Sequence, residues 1–331
     1  MQQITLTEPG RFVADSVEAP GEPPIGFARV RIHRIGVCGT DLHAFAGRQP
    51  FFRYPRILGH ELGVEVLAVG GDTSHVAIGD RCAIEPYLNC GVCHACVRNK
   101  PNCCERLEVL GVHSDGGMRG QILVPIAKLH PSENLTWDQL ALVETLGIGQ
   151  HAVERAQLHA GESVVIVGAG PIGLATLQFA KAAGAQVTVL EPNPMRRAFV
   201  QSTFGVDARE PSDDHCYDVV FDATGNIAAM EASVARVAFG GKLVFVGLVQ
   251  GRISFDDPLF HRREMTILAS RNSANAFPTI MRMIESGTLD TTPWITHRLL
   301  LSEVPSRFPE LPRIPELVKA MIEVTDVDAD A

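Results

Sequence analysis

The sequence has no surplus of basic charge: 29 Lys and Arg stand against 38 Asp and Glu, a formal net charge of -9. Such a chain repels a phosphate backbone or an anionic lipid surface, which sets nucleic acid and membrane aside as partners. The opening residues, Met1-Gln2-Gln3-Ile4-Thr5-Leu6, offer no basic stretch followed by an apolar one. A secretory signal is therefore not expected, and the cytoplasm is the expected compartment. The charge-free stretch from Ser163 to Ala180 is broken by Gly168-Ala169-Gly170-Pro171-Ile172-Gly173, so it reads as strand, turn and helix rather than a membrane span. With 46% hydrophobic and 20% charged residues, neither long disorder nor a fibrous repeat fits. Aromatic residues are scarce at 6%, and a cleft poor in rings and rich in polar groups suits a hydroxylated small substrate.

What is present points to metal and to a nucleotide. At 331 residues the chain has room for roughly two domains. Eight cysteines in a reducing compartment are not read as disulfides. Cys90, Cys93, Cys96 and Cys104 form C-x2-C-x2-C-x7-C, with Gly91 where the chain must fold round an ion. Four thiolates closing a tetrahedron about one Zn²⁺, with no open position, make a structural zinc site. His94 and Cys103 lie in the same lobe, but Cys104 makes the more regular set.

A second constellation is dispersed. Gly36-Val37-Cys38-Gly39-Thr40-Asp41-Leu42-His43 follows an alternating strand, Phe27 to Ile35, and Gly59-His60-Glu61 opens another through Val64, Val66 and Ala68. Alone, Cys38 and His60 are ordinary residues. At strand ends beside a further carboxylate, they would form a Cys/His/Glu set that leaves one metal position open for substrate.

Further on, the strand Ser163–Val167 runs into Gly168-x-Gly170-x-x-Gly173 and a helix from Pro171 to about Ala183. The next strand, Gln186–Leu190, ends at Glu191. This is the dinucleotide fingerprint in its required context: a tight turn, backbone close to the pyrophosphate, free N–H groups at the helix start and an acid for the ribose. Glu191 would accept from both ribose hydroxyls and repel a 2′-phosphate, favouring NAD over NADP, while Arg196 and Arg197 nearby pull the other way. Strands at Asp218 to Asp222 and Lys242 to Gly247 continue the βαβ rhythm.

Taken together, Gly36 to Asp41, Gly59-His60-Glu61, the four-cysteine lobe, Val143-Glu144, Gly168 to Gly173 and Asp222-Ala223-Thr224-Gly225 resemble the zinc-containing medium-chain dehydrogenases. The resemblance runs through nearly the whole chain, in the branch of sorbitol, threonine and sugar-acid dehydrogenases. It implies an α/β protein: a GroES-like, mainly β catalytic domain over 1–147 with the zinc lobe at about 88–106, a Rossmann doubly wound parallel sheet over 148–284, and a segment, 285–331, returning to the catalytic domain. The active site would lie in the cleft.

The resemblance further implies that Cys38 and His60 bind a catalytic Zn²⁺, giving two zinc ions per chain. Glu61 and Glu144 would be its carboxylate partners, and whether each binds directly, through water or in exchange with substrate stays open. Asp41 would orient the histidine, and Thr40 and His43 would relay the proton. Gly168, Gly170, Pro171, Ile172, Gly173, Glu191, Arg196 and Thr224 would hold NAD. Thr145 stands where many relatives have proline. The implied reaction moves a hydride between a secondary alcohol of a polyol, sugar acid or related substrate and NAD, in a homodimer or homotetramer. Within the family, a threonine-type or simple alcohol dehydrogenase is the alternative. A non-catalytic NAD-binding protein would have lost the zinc ligands, and a zinc-free quinone or enoyl reductase would lack both metal sets.

Overall fold

In the computed structural model, residues 1–49, 52–211 and 215–325 are described. The chain divides into two units, one formed by Met1–Glu144 with Phe277–Ala331 and the other by Thr145–Ala276.

The first unit is built on a seven-stranded, largely antiparallel sheet. Its central strand, Phe27–Gly36, alternates as its sequence does. Ala28, Val30 and Ile32 are fully buried, while Arg29, Arg31 and His33 face the other side, as a period of two requires. The strand pairs antiparallel with Glu61–Val69, with Gly36 opposite Glu61, and on its other side with Lys319–Glu323, with Met321 opposite Gly36. The returning segment thus supplies an interior strand of this sheet rather than a surface appendage.

The return begins at Phe277, earlier than the expected 285. The helix Phe277–Glu285 buries Phe277, Ile280, Met281 and Ile284 on one stripe. Phe277 packs on the His130 ring at 4.9 Å, and Glu285 accepts a hydrogen bond from Ser132, so the helix belongs to the first unit. The other division falls between Glu144 and Thr145, inside the helix Trp137–Ala156. Thr136 and Gln139 cap this helix reciprocally, backbone N–H to side-chain oxygen in both directions, a capping box. His33 stacks on Trp137 at 4.1 Å and fixes its first turn against the sheet.

The second unit is a six-stranded parallel sheet. In chain order its strands are Ser163–Val167, Gln186–Leu190, Asp207–Arg209, Tyr217–Asp222, Val237–Phe245 and Thr266–Ala269. Numbered one to six, they lie side by side as 3-2-1-4-5-6, the doubly wound order in which ligands bind beyond the carboxyl ends of strands one and four. Val164, Val165 and Ile166 are all fully buried, a continuous apolar run of the kind a parallel sheet covered on both faces demands. The fifth strand starts at Val237, ahead of the expected Lys242, because Gly240-Gly241 is carried inside it, with Gly240 at φ +72°. No helix among the described residues is long and apolar enough to cross a membrane.

Candidate metal centres and cofactor site

Cys38 caps the helix Gly39–Phe45, and the fully buried Asp41 in its first turn closes the cap. Asp41 Oδ2 accepts the Cys38 N–H at 2.9 Å, and Oδ1 lies 3.8 Å from His60 Nδ1. One carboxylate therefore fixes the backbone of one candidate ligand and faces the ring of the other. His60 immediately precedes the strand that starts at Glu61. Ligand atoms of Cys38, His60 and Glu61 all lie within 4.8 Å of one another. A Cβ on Gly36 would collide with the Glu61 carboxylate, so the glycine opposite makes the room for that side chain.

His60, Glu61 and Glu144 are buried. Burial alone would depress the His60 pKa, but the Cys38 thiol and the carboxylates of Asp41 and Glu144 raise it well above the usual value. Burial pushes the Asp41 carboxyl up. Glu61 Oε2, and His60 Nδ1 and Asp41 Oδ1, which face each other, find no hydrogen-bond partner among the described residues. Orphaned polar atoms are rare and costly in a protein interior. Around a thiol, an imidazole and a carboxylate they fit Zn²⁺.

Glu144 stands outside that 4.8 Å group. It sits in the unbroken helix Trp137–Ala156, and the buried Thr145 continues the helix. The Tyr87 hydroxyl donates to Glu144 Oε1. Burial foremost raises the Glu144 pKa, and burial with the adjoining carboxylate pushes the phenol of Tyr87 well above its ordinary value. Glu61 meets Lys319, whose Nζ lies 2.6 Å from Oε1 and 2.5 Å from Oε2. Both residues are 1% exposed. Burial disfavours the ammonium, yet Glu61, Cys38 and Glu144 outweigh it and raise its pKa.

Neither Tyr87 nor Lys319 is found by motif. Lys319 lies 258 positions from Glu61, but a signal exists: a lone lysine in the apolar run Leu317-Val318-Lys319-Ala320-Met321-Ile322. Lysine is almost never fully buried unless paired.

Thr40 and His43 share the Gly39–Phe45 helix at a spacing that puts them on one face. Burial and then the Arg48 cation lower the His43 pKa below its usual value.

The second group of ligand atoms within 4.8 Å is Cys90, Cys93, Cys96 and Cys104, without the exposed Cys103. The Cys90 and Arg106 backbone N–H groups donate to Cys104 Sγ at 3.3 and 3.4 Å. The backbone N–H of Val92 foremost brings the Cys90 thiol down to about 6, while desolvation pushes Cys96 up to about 11. Four crowded sulfurs held by amide donors fit a structural Zn²⁺.

In the second unit, Gly168 takes φ +100°. A Cβ on Gly173 would strike the Gly168 carbonyl, whereas one on Gly170 would meet nothing within 4 Å. That pattern of close packing and open approach is what the pyrophosphate turn needs. The helix Pro171–Ala182 starts there with no side-chain cap, leaving its first N–H groups for an anion. Glu191 sits beside the turn, with Oε2 accepting from Ala169 N–H at 2.8 Å and Oε1 from Asn193 N–H at 2.9 Å. Arg197 is committed elsewhere: it donates to the Glu191 and Pro192 carbonyls and to Glu210. Thr224 follows strand four, its hydroxyl on Asp222 Oδ1 at 2.7 Å.

The alcohol dehydrogenase GroES-like domain matches residues 25–134, and the zinc-binding dehydrogenase domain matches residues 171–286. The chain belongs to the zinc-containing medium-chain dehydrogenases: an alcohol and polyol dehydrogenase acting on CH–OH groups with zinc and a nicotinamide cofactor. It is 38% identical to the L-galactonate-5-dehydrogenase of Escherichia coli K12 over 90% of this chain and 91% of that protein. It is 33% identical to the sorbitol dehydrogenase of Bacillus subtilis 168 over 83% of each. Among solved structures it resembles RspB of E. coli CFT073, an alcohol dehydrogenase complexed with NADH. That likeness has a TM-score of 0.92 at 26% identity, covering 98% of this chain and 99% of that one.

Proposed function

We propose that this chain oxidises a secondary hydroxyl of a polyol or sugar acid with NAD, as a cytoplasmic homo-oligomer carrying two zinc ions per chain. The observation that carries the reading is the meeting of Cys38, His60 and Glu61 around orphaned buried atoms. Cys38 and His60 would hold the catalytic zinc with a carboxylate from Glu61 or Glu144, and the four lobe cysteines would hold the structural one. When bound, the zinc supplies a Lewis acid for the substrate hydroxyl and the nicotinamide a hydride acceptor. The chain's own residues do the rest. Asp41 holds Cys38 and faces His60. Thr40 would take the hydroxyl proton and His43 would pass it to water. A lowered pKa leaves His43 neutral at pH 7 and so able to accept.

In the second unit Gly168, Gly170, Pro171, Ile172 and Gly173 would cradle the pyrophosphate, with Thr224 at the neighbouring strand end. Glu191 would take the ribose hydroxyls, and Arg197, held by carbonyls and Glu210, would not favour a 2′-phosphate. The substrate class rests on the sugar-acid and polyol relatives. The test is a panel of aldonates, polyols and L-threonine with NAD and NADP, followed by absorbance of the reduced nicotinamide. Turnover of an aldonate or polyol, with NAD favoured at least about tenfold (about 1.4 kcal/mol), is the expected result. Turnover of L-threonine alone, or equal use of the two cofactors, would refute the corresponding part.

A further inference from the structure

Lys319 occupies a sheet position where its neighbours in sequence are aliphatic. It opens the strand Lys319–Glu323, whose Met321 pairs with Gly36, which in turn pairs with Glu61. The three strands are adjacent, and the ammonium lies against both oxygens of Glu61, with each residue 1% exposed. An ammonium in such a place is expensive to bury even when paired, so its presence asks for a reason. Charge supplies one. The Cys38 thiol and the carboxylates of Asp41, Glu61 and Glu144 crowd one buried cluster, more acidic groups than a single divalent ion balances. Lys319 adds a second cation, and it does so at Glu61, while Glu144 is held by the phenol of Tyr87.

We propose that Lys319 is a positioning residue that competes with the catalytic zinc for Glu61, and thereby keeps one metal position exchangeable for substrate. A carboxylate hydrogen-bonded at Oε1 by a buried ammonium that also lies close to Oε2 is a weaker ligand than a free one. Remove the ammonium, and a metal ion at Cys38 and His60 no longer has Lys319 as a rival for Glu61. The metal is then retained more tightly while the substrate hydroxyl competes less well. The proposal rests on the assignment of Cys38, His60 and Glu61 to the catalytic zinc.

The test is release of zinc from the holoprotein into excess chelator, followed with a colorimetric indicator. Cys38→Ser identifies the catalytic-site phase by abolishing it, and if it abolishes none, the metal-site assignment itself falls. In Lys319→Met that phase is expected to slow by about 10-fold to 100-fold, the usual reach of a residue behind a metal ligand, with a raised KM for substrate. Adding Glu61→Gln should return release to a rate no slower than wild type. An unchanged or faster phase in Lys319→Met would overturn the proposal. Should that variant not fold, Glu61→Gln alone decides. Release near the wild-type rate upholds the competition, and acceleration of about tenfold or more shows that Glu61 already serves as a full ligand, which ends it.

Discussion

His43 and Lys319 show what single residues contribute and how far each could be foreseen. For His43 the sign of the pKa shift sets a window. Its folded pKa lies below 6.5, so the ring is a competent base from neutral pH down to that lowered value and loses its advantage once protonated. His43→Ala should therefore reduce turnover by up to about 10²-fold to 10⁴-fold within this window, with the defect shrinking in alkaline buffer, where solvent takes the proton. A pH–rate profile of the variant that parallels wild type with unchanged turnover would remove His43 from the relay. Cys38 and His60 were legible because each stands beside a glycine at a strand end, in an order that matches a known pattern. Lys319 was not, because sequence gives no hint that residue 319 comes to lie against residue 61, and Tyr87 carries no spacing signal at all.

The four-cysteine lobe tests the same logic over an element. Its strand pairing is two residues long, Tyr87–Leu88 on Glu108–Val109, and its helix, His94–Val97, is four residues. Neither is stable alone, so the metal is expected to supply the folding free energy of the lobe. Cys104→Ser should lower the thermal midpoint and bring zinc content from two ions to about one per chain, as elemental analysis would read; two ions retained would contradict it. This element was readable from spacing because four thiols so close together have few other uses. The helix Phe277–Glu285 was readable as an amphipathic helix but not as part of the first unit. Its apolar stripe states that a face is buried, not which sheet it covers, and only the contacts of Phe277 with His130 and of Glu285 with Ser132 settle that. Likewise Gly240-Gly241 has the composition of a turn, yet it is carried within the strand Val237–Phe245.

Across the whole molecule, the two borders of the parallel sheet differ in character. The border strand Asp207–Arg209 carries a charge at each end, with Arg209 paired to Asp207 at 2.6 Å, a device that discourages pairing with another strand. The opposite border, Thr266-Ile267-Leu268-Ala269, has no charge. Association through this second border is expected. Light scattering should report a multiple of 35.8 kDa at micromolar concentration, and a charged substitution at Ile267 should shift it toward the single-chain mass. A wild-type monomer under those conditions would refute it. The interior placement of Lys319–Glu323 also has a consequence for the order of events during synthesis. The second unit is one continuous stretch and is complete in the nascent chain well before residue 319 is added. The first unit must wait: at ~5–20 residues per second, roughly 15–60 s separate the making of Gly36 from that of Lys319. Until then Glu61 has neither its neutralising cation nor a finished sheet, so a ribosome stalled late would hold a chain able to form its nucleotide-binding fold but without a completed metal pocket.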